Sequence, residues 1–292
     1  MKFGMFLPTV GPYASGPDAL HTQRTLAQQA ETLGFDSIWV PDHVVFPKTI
    51  NSTYPYNDTG RIRTAPILDP LVALSFLAGV TTSIKLGTFV LVLPHRNPIV
   101  TAKMWASLDV LSGGRTIFGA GIGWLEEEIT LLGAPFRRRG ALSDEYLRAM
   151  KTLWTQPDPE FEGEFVSFSD IECEPKPLQQ PPPIWIGGHS ARAMRRVVEF
   201  GDGWLAVPKS VAAFHESLGA LRVAAEQAGR AMSDIPIMIS PMYVDSVDAY
   251  IEEFKRYSGM GYDSFFAALP FWARGLDGIQ QAMDDFARKM NM

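Results

Sequence analysis

Eight short apolar runs alternate along this chain with longer segments of helical periodicity, and no other feature restricts its possible folds as strongly. The runs at residues 89–93 and 237–239 are apolar at every position, which is typical of strands buried on both faces of a parallel sheet. The predicted strands are residues 2–7, 37–40, 85–91, 115–119, 183–186, 203–207, 237–243 and 264–268.

The segments between these strands repeat their apolar residues with the period of an α-helix. In the first segment Leu26, Ala30 and Leu33 share one face, and the expected N-cap and C′ residues are Asp18 and Gly34. Eight strand–helix alternations predict an α/β fold, a single (β/α)8 TIM barrel with extended loops at the C-terminal strand ends, and no boundary divides residues 1–292 into further domains. The predicted helices are residues 18–33, 70–82, 98–111, 143–154, 191–200, 211–228, 247–258 and 276–290.

The composition argues against several classes of function. The formal net charge of −6 gives no overall attraction for nucleic acid, and no run approaches the roughly 20 apolar residues of a membrane span. The single cysteine, Cys173, cannot form an intrachain disulfide, and its acidic neighbours make it a poor candidate for a nucleophile. The apolar run at the N-terminus is too short for a signal peptide, so we expect a cytoplasmic protein.

A carboxylate and an imidazole, Asp42 and His43, directly follow the predicted strand at residues 37–40. The C-terminal ends of strands carry the ligand-binding and catalytic groups of α/β folds. The alternative interpretation is a solvated loop, where both residue types are common. The next strand ends in His95 and Arg96, before an Asn-Pro pair suited to cap and open a helix.

Two glycine-containing segments follow later strands. Residues 118–124 carry glycine at alternate positions, which fits a tight strand exit or close packing on a flat ring but not the nucleotide fingerprint Gly-x-Gly-x-x-Gly. At residues 184–190 a strand passes through Gly187 and Gly188 into a helix, whose first backbone N–H groups could bind a phosphate. Ser190 could bind a phosphate oxygen or only cap that helix.

Other charged clusters have simpler interpretations. Residues 126–128, all glutamate, are interpreted as the acidic start of a helix, and the arginines 137–139 as a solvated loop face, with a phosphate contact as the alternative. The chain has neither a metal-ligand motif nor a Gly-x-Ser-x-Gly elbow. The long segments 41–66 and 120–142 should build the site, whereas the proline-rich segment 157–182 packs elsewhere or forms a lid.

Taken together, five segments of this chain resemble the bacterial luciferase-like monooxygenase family, and specifically its F420-dependent oxidoreductases. They are residues 35–43, 86–98, 111–124, 186–188 and 200–204, so the resemblance covers nearly the whole chain. It implies the barrel predicted above. It also implies an enzyme that binds coenzyme F420, a deazaflavin, and transfers a hydride between the cofactor C5 carbon and a small organic substrate.

The same resemblance implies roles for individual residues. The peptide bond between Phe89 and Val90 should be cis and brace the planar ring, with Asp42 and His43 beside the reactive carbon. His43 is the candidate acid/base catalyst, because an imidazole titrates near neutral pH, and Asp42 is expected to tune it. The ring would be lined by Gly121, Ile122, Gly123 and Trp124, and the phosphate held by Gly187, Gly188, His189 and Ser190.

One position departs from the family pattern. Members that oxidise a sugar phosphate place a glutamate where this chain has Trp124, and the tryptophan favours an apolar or aromatic substrate instead. Glu126 cannot take the place of that glutamate, because a shift of two residues changes the side-chain direction. Arg96 or Lys209 would hold any anionic group of the substrate.

Three alternatives stay open from the sequence. An FMN-dependent two-component monooxygenase of the same family would use flavin supplied by a reductase, although this chain lacks the long insertions that many of those enzymes carry. A non-catalytic flavin or deazaflavin carrier would bind without turnover, and a metal-dependent barrel hydrolase would need ligand motifs that are missing. The resemblance also implies a homodimer, and a functional partner that reduces F420 or flavin.

Overall fold

The computed structural model of this chain describes residues 1–241 and 244–292. Most of its strands are short and nearly all of their residues are buried. Within the described residues they are β1 (Lys2–Phe6), β2 (Ser37–Val40), β3 (Lys85–Thr88), β4 (Leu91–Val92), β5 (Thr116–Gly121), β6 (Phe161–Glu162), β7 (Ser167–Phe168), β8 (Ile184–Gly187), β9 (Gly203–Ala206), β10 (Ile237–Ile239) and β11 (Ser264–Ala267).

The strands close into a ring. From β1 the parallel pairing runs through β2, β3, β5, β8, β9 and β10 to β11, which pairs with β1 again, and β4 extends the third staff of the barrel. The small β6–β7 hairpin lies outside the ring. The predicted (β/α)8 TIM barrel is therefore confirmed.

The third barrel strand is divided between β3 and β4, whereas the sequence predicts one continuous strand over residues 85–91. Gly87 aligns with Ile117 and Leu91 with Ala120, so four steps along one strand match three along the other. This is a β-bulge, which re-aims the side chains around it. The Phe89–Val90 peptide bond at this position is cis, as the family resemblance implies.

Nine helices of the described residues surround or cap the barrel, and eight of them match predicted helices to within a few residues. The short α4 is the ninth; its start at Glu126 agrees with the interpretation of residues 126–128, and α5 begins four residues earlier than predicted. Asn97 caps α3 by accepting from the N–H groups of Ile99 and Val100, whereas Asp18 makes no side-chain cap. The helices are α1 (Ala19–Thr32), α2 (Pro70–Val80), α3 (Pro98–Ser112), α4 (Glu126–Leu131), α5 (Arg139–Thr155), α6 (Ala191–Phe200), α7 (Val211–Gln227), α8 (Val247–Ser258) and α9 (Gly275–Met290).

The predicted strand at residues 237–243 is shorter in the structure, where β10 ends at Ile239. Met242 and Tyr243 lie outside the described residues. Within the described residues no helix is both long enough and apolar enough to cross a bilayer.

Two tryptophans fill the lower part of the barrel. A methyl group on Gly4 would lie 2.7 Å from the Trp39 indole, and one on Gly87 would overlap the same ring. Trp185 occupies the matching space beside Gly203, and the two indoles meet edge to face with centroids 6.3 Å apart. The barrel interior is thus a packed core around these two tryptophans, and the cavity described below lies at the C-terminal strand ends.

The proline-rich segment 157–182 packs on the outside of the barrel. The Glu145 carboxylate accepts N–H groups of Glu164, Phe165 and Val166, which anchors the hairpin to α5. Nearby, the Gln179 amide bonds to the buried Asp109 carboxylate. None of the described residues in this segment lines the cavity at the barrel mouth, so packing elsewhere, rather than a lid, is the observed arrangement.

Candidate active site

Every strand of the barrel ends at the wall of one cavity of about 940 Å³. The walls come from the strand ends themselves and from the long segment 41–66 after β2. The predicted catalytic and cofactor-binding residues all lie here, although they come from four different strand ends: Asp42, His43, Phe89, Val90, Gly121, Ile122, Gly123, Trp124, Gly187, Gly188, His189 and Ser190.

Val90 forms a raised apolar point on the cavity floor. Its two methyl groups lie between β5 and β8: a methyl on Gly121 would overlap one of them, and a methyl on Gly187 would lie 2.9 Å from the other. A methyl on Gly119 would overlap the backbone carbonyl of Thr88, and one on Gly123 would lie 2.7 Å from Val92 and 2.8 Å from Ile129. The alternate glycines of β5 therefore make room for the third barrel strand, which favours the tight-strand interpretation of that motif.

Asp42 is held in a buried ion pair. Its side chain is 0% exposed, and its two oxygens accept from both terminal nitrogens of Arg96 at 2.7 and 2.8 Å. The Val92 N–H donates to the same carboxylate at 2.9 Å, and Asp69 binds Arg96 from the other side. Burial opposes the Arg96 charge, but Asp42 and Asp69 together raise the pKa of Arg96 above its usual value.

Because these bonds occupy the Arg96 guanidinium, the expectation that Arg96 holds an anionic substrate group is wrong. Lys209, the other predicted candidate, is exposed and does not line the cavity.

His43 bonds to Glu128, whereas the sequence interpretation expects its neighbour Asp42 to tune it. Nδ1 of His43 lies 2.6 Å from Oε2 of Glu128. Burial alone would raise the pKa of Glu128, but the bond from His43 and the nearby His95 leave it below its usual value. An ionised carboxylate can only accept a hydrogen bond, so Nδ1 of His43 carries the proton.

Glu128 lines the same cavity, and the sequence interpretation missed it as a candidate site residue. The three glutamates do open a helix, α4, as expected, but the third is 0% exposed and faces the barrel. Its other oxygen accepts the N–H groups of Val44 and Val45. The available signal was the position of α4, directly after the end of β5: successive residues on a helix point in different directions, so one of the three must face inward.

His95 lies between the two carboxylates. Its Nε2 is 3.5 Å from Glu128 Oε2, and its Nδ1 is 3.9 Å from Asp42 Oδ2 and has no hydrogen-bond partner among the described residues. Burial lowers the pKa of His95, although Asp42 and Glu128 act in the opposite direction. We therefore treat His95 as a neutral ring that fills space between charged groups.

An aromatic wall, defined as Phe46, Tyr54, Tyr56 and Trp124, stands beside His43. Phe46 lies 4.5 Å and Trp124 6.2 Å from the His43 ring centroid, and Tyr54 packs edge to face on Trp124. Burial raises the pKa of Tyr56, so its hydroxyl is neutral at physiological pH. The wall offers apolar surface and no charge to whatever lies against it.

Glu127 fixes the loop that carries Phe46, Tyr54 and Tyr56 of the aromatic wall. Its carboxylate accepts the backbone N–H groups of Asn51 and Ser52 and the Ser52 hydroxyl, at 2.6 to 3.1 Å. Glu127 and Glu128 thus tie two separate points of the segment 41–66 to α4.

Arg139 also reaches the cavity, so the interpretation of all three arginines as a solvated face is wrong at this residue. Arg137 and Arg138 are exposed, but Arg139 is half-buried, donates to the carbonyl oxygens of Gly123 and Phe136, and stacks over the Phe136 ring at 3.8 Å. Burial lowers its pKa, with Glu126 opposing the shift. Arg139 forms no ion pair with any carboxylate of the described residues.

The Gly187–Ser190 segment leads into α6. Ser190 caps that helix by accepting from the Ala193 N–H at 3.2 Å. The His189 ring accepts the Val207 N–H on Nε2 at 3.0 Å, which ties the ends of β8 and β9 together, and burial lowers its pKa. Both side chains therefore make hydrogen bonds within the protein, and all four residues of the segment line the cavity.

Among residues 1–241 and 244–292, no group of three or more His, Cys, Asp or Glu residues is arranged to hold a metal ion.

Comparison with known proteins identifies the family. The family model described as luciferase-like monooxygenase matches residues 1–285. This chain belongs to the luciferase-like monooxygenase family. The predicted resemblance to this family is therefore confirmed.

Relatives in this family are oxidoreductases that differ in cofactor. The chain is 35% identical over 194 residues to an uncharacterized protein of Mycobacterium tuberculosis, which covers 65% of this chain and 69% of that protein. It is 33% identical over 215 residues to the F420-dependent glucose-6-phosphate dehydrogenase of Kineococcus radiotolerans, over 72% of this chain and 59% of the relative. It is 31% identical over 184 residues to the FMNH2-dependent dimethylsulfone monooxygenase of Pseudomonas putida, over 62% and 47%.

Solved structures share the whole fold at low sequence identity. The monooxygenase RslO1 of Streptomyces bottropensis superimposes with a TM-score of 0.79 at 20% identity, covering 99% of this chain and 98% of that one. The coenzyme F420-dependent tetrahydromethanopterin reductase of Methanopyrus kandleri gives 0.75 at 16% identity, covering 99% of both chains. At these identities the likeness supports the barrel fold alone.

Proposed function

We propose that this protein is an F420-dependent oxidoreductase acting on a small apolar or aromatic organic substrate. The observation that carries the proposal is the position of His43. Its ring lines the cavity beside the apolar floor at Val90, and its Nε2 makes no hydrogen bond to any described residue. An imidazole with one nitrogen fixed and the other open to a cavity is suited to move a proton.

The residues present fit a planar cofactor with an anionic tail. Val90, Ile122 and Gly123 would contact the ring, because they form the apolar floor at the barrel mouth. The tail would lie near Gly188 and Arg139, where the first N–H groups of α6 and a cation without a carboxylate partner both favour a negative group. When bound, the deazaflavin exchanges a hydride with the substrate at its C5 carbon.

The remaining work falls to this chain. His43 Nε2 would hold the proton that leaves the substrate with oxidation, or release it in the reverse direction, so that hydride and proton together balance the reaction. The aromatic wall would receive the substrate and exclude water from it. Because the wall carries no charge, it favours uncharged carbonyl, alcohol or enone compounds over phosphates.

FMN is the second candidate cofactor, because the dimethylsulfone monooxygenase relative uses FMNH2. Two considerations favour F420. The F420-dependent relative aligns over more of this chain, 72% against 62%. This chain also lacks the long insertions that many FMN-dependent members carry. If F420 is the cofactor, the proposal implies an F420-reducing enzyme as the functional partner.

The test is a parallel titration of the purified protein with F420 and FMN, followed by turnover assays with carbonyl and enone substrates. We expect tighter binding of F420, and a loss of about 100-fold or more in turnover for His43→Gln at unchanged F420 affinity. Tighter binding of FMN would overturn the cofactor assignment. Equal turnover by wild type and His43→Gln would remove the role of His43, and binding without any turnover would favour the carrier alternative.

A further inference from the structure

The Glu128 carboxylate is built for one arrangement of the loop after β2. Three hydrogen bonds converge on it: Val44 N–H and Val45 N–H on Oε1 at 2.7 and 3.0 Å, and His43 Nδ1 on Oε2 at 2.6 Å. The carboxylate is 0% exposed, so no water competes for these bonds. Bonds to a buried carboxylate are shorter and stronger than bonds between neutral groups.

We propose that Glu128 is the positioning residue for His43: it holds the imidazole in the Nδ1–H form and aims Nε2 into the cavity. The inference rests on the proposed role of His43 in proton transfer, which the proposed function assigns. Glu128 also lines the cavity, but its carboxylate is fully buried and already accepts three hydrogen bonds, so it acts through the His43 ring.

The direction of the hydrogen bond decides which nitrogen is reactive. While Glu128 is ionised it can only accept, so the proton stays on Nδ1 and Nε2 keeps a lone pair toward the cavity. A glutamine at this position could still accept both backbone N–H groups on its oxygen. Its amide nitrogen would then donate to Nδ1, which would move the ring proton to Nε2.

Three other titratable residues lie near His43 and Glu128, but none of them takes part in orienting the His43 ring. His95 Nε2 lies 3.5 Å from the same oxygen, which is too long for a strong bond. Asp42 is committed to Arg96, and Glu126 is exposed on the far side of α4. His43 is therefore the ring that Glu128 orients.

The test measures the His43 tautomer by ¹⁵N NMR in the free protein, with the signals assigned by their loss in His43→Gln. We expect an Nδ1–H ring in the wild type and in Glu128→Asp, and an Nε2–H ring in Glu128→Gln. The matched control is Glu127→Gln, the neighbouring glutamate on α4, which binds the loop at residues 51–52 and should leave the tautomer unchanged.

Turnover provides the second measurement. With the cofactor that the titration identifies, Glu128→Gln should lose about 100-fold or more in kcat while cofactor affinity stays within about threefold, and Glu128→Asp should recover part of the loss. A wild-type ring protonated on Nε2, or a Glu128→Gln ring still protonated on Nδ1, would overturn the proposal. If Glu128→Gln does not fold, the wild-type spectrum alone tests the proposal. The tautomer can be measured without a cofactor. If Glu128→Gln changes the tautomer as expected, but neither the wild type nor any variant shows turnover, the result counts against the proposed function alone.

Discussion

Asp42 and His43 are neighbours on one strand end, yet the structure gives them opposite surroundings. Asp42 is completely buried and bonded by Arg96 on both oxygens. His43 has a buried partner, Glu128, on one nitrogen only, and its ring lines the cavity. A group whose hydrogen bonds are all made within the protein holds structure together, whereas a group with one open atom can react.

The comparison divides the roles of the pair. Sequence reasoning treats Asp42 and His43 together, as a carboxylate that tunes a base. In the structure Asp42 braces the end of β2 against β4 through the Val92 N–H and against α2 through Arg96 and Asp69. Tuning of His43 passes to Glu128, on a helix that follows another strand.

The largest effect we expect is from Arg96→Met. The substitution leaves the Asp42 carboxylate buried without its cation, which typically costs about 3–5 kcal/mol of the free energy of unfolding. His43→Gln should change that free energy by less than about 1 kcal/mol, because a glutamine can still donate to Glu128. Chemical denaturation of both variants measures the difference.

The matched control for Arg96→Met is Arg195→Met, at an exposed arginine of α6 that forms no ion pair with any described residue. It should be close to neutral. If Arg96→Met is as mild as this control, Asp42 does not depend on its ion pair, and the division of roles between Asp42 and His43 fails.

A smaller effect is expected from Asp69→Asn. One oxygen of Asp69 caps α2 by accepting from Leu71 and Val72, and the other binds Arg96. Asparagine keeps the cap and loses only the outer ion pair, which is partly exposed, so the cost should be at most about 1 kcal/mol. Asp69→Ala loses the cap as well and should cost about 1 kcal/mol more in the same denaturation experiment. Equal costs for both variants would mean that the cap contributes nothing.

The smallest expected effect is the acid sensitivity of the loop at residues 51–52, which Glu127 of α4 holds. Burial opposes the shift, but bonds from Ser52 and Asn51 lower the pKa of Glu127 from 4.5 to about 2. A carboxylate with a lowered pKa stabilises the folded state above its unfolded pKa and loses that contribution as the pH falls toward its folded pKa. Amide exchange at Asn51 and Ser52, corrected for the intrinsic rate, should therefore accelerate between pH 4.5 and about 2.

Glu127→Gln supplies the control for this measurement. It should remove the acceleration with acid at these two amides, since no carboxylate is left to titrate there. If the variant keeps the same pH dependence as the wild type, another group controls the loop, and the two anchors of α4 are not independent.

The barrel itself could be predicted from the chain because its signal is repeated. Eight apolar runs with intervening helical periods leave few other folds, and a boundary error of a few residues does not alter the topology. The division of the third strand could not be predicted, because residues 85–91 are as suitable for a continuous strand as for a bulge. The early start of α5 at Arg139 could not be predicted either, because positively charged residues are unfavourable at a helix N-terminus.

The site was predicted as a set of strand ends but not as a set of contacts. Asp42, Val90 and Trp124 reach one cavity because parallel strands deliver their ends to the same side. Which residue bonds to His43 depends on the position of α4 in space, and neither composition nor spacing carries that information. The sequence therefore indicates Glu128 only as part of an acidic run, and its contact with the His43 ring is a finding of the structure.

The Val90 side chain between Gly121 and Gly187 has a consequence for how this pocket can change. The Val90 methyl groups fill the space that Cβ atoms on Gly121 and Gly187 would occupy. Side-chain volume could therefore be moved from one strand to its neighbour, for example by Val90→Ala combined with Gly121→Ala. Such an exchange would reshape the bed beneath a ligand without altering any charge or any proton-carrying group. Related enzymes could therefore evolve to accept differently shaped rings through paired substitutions on neighbouring strands, with His43 and its hydrogen bonds unchanged.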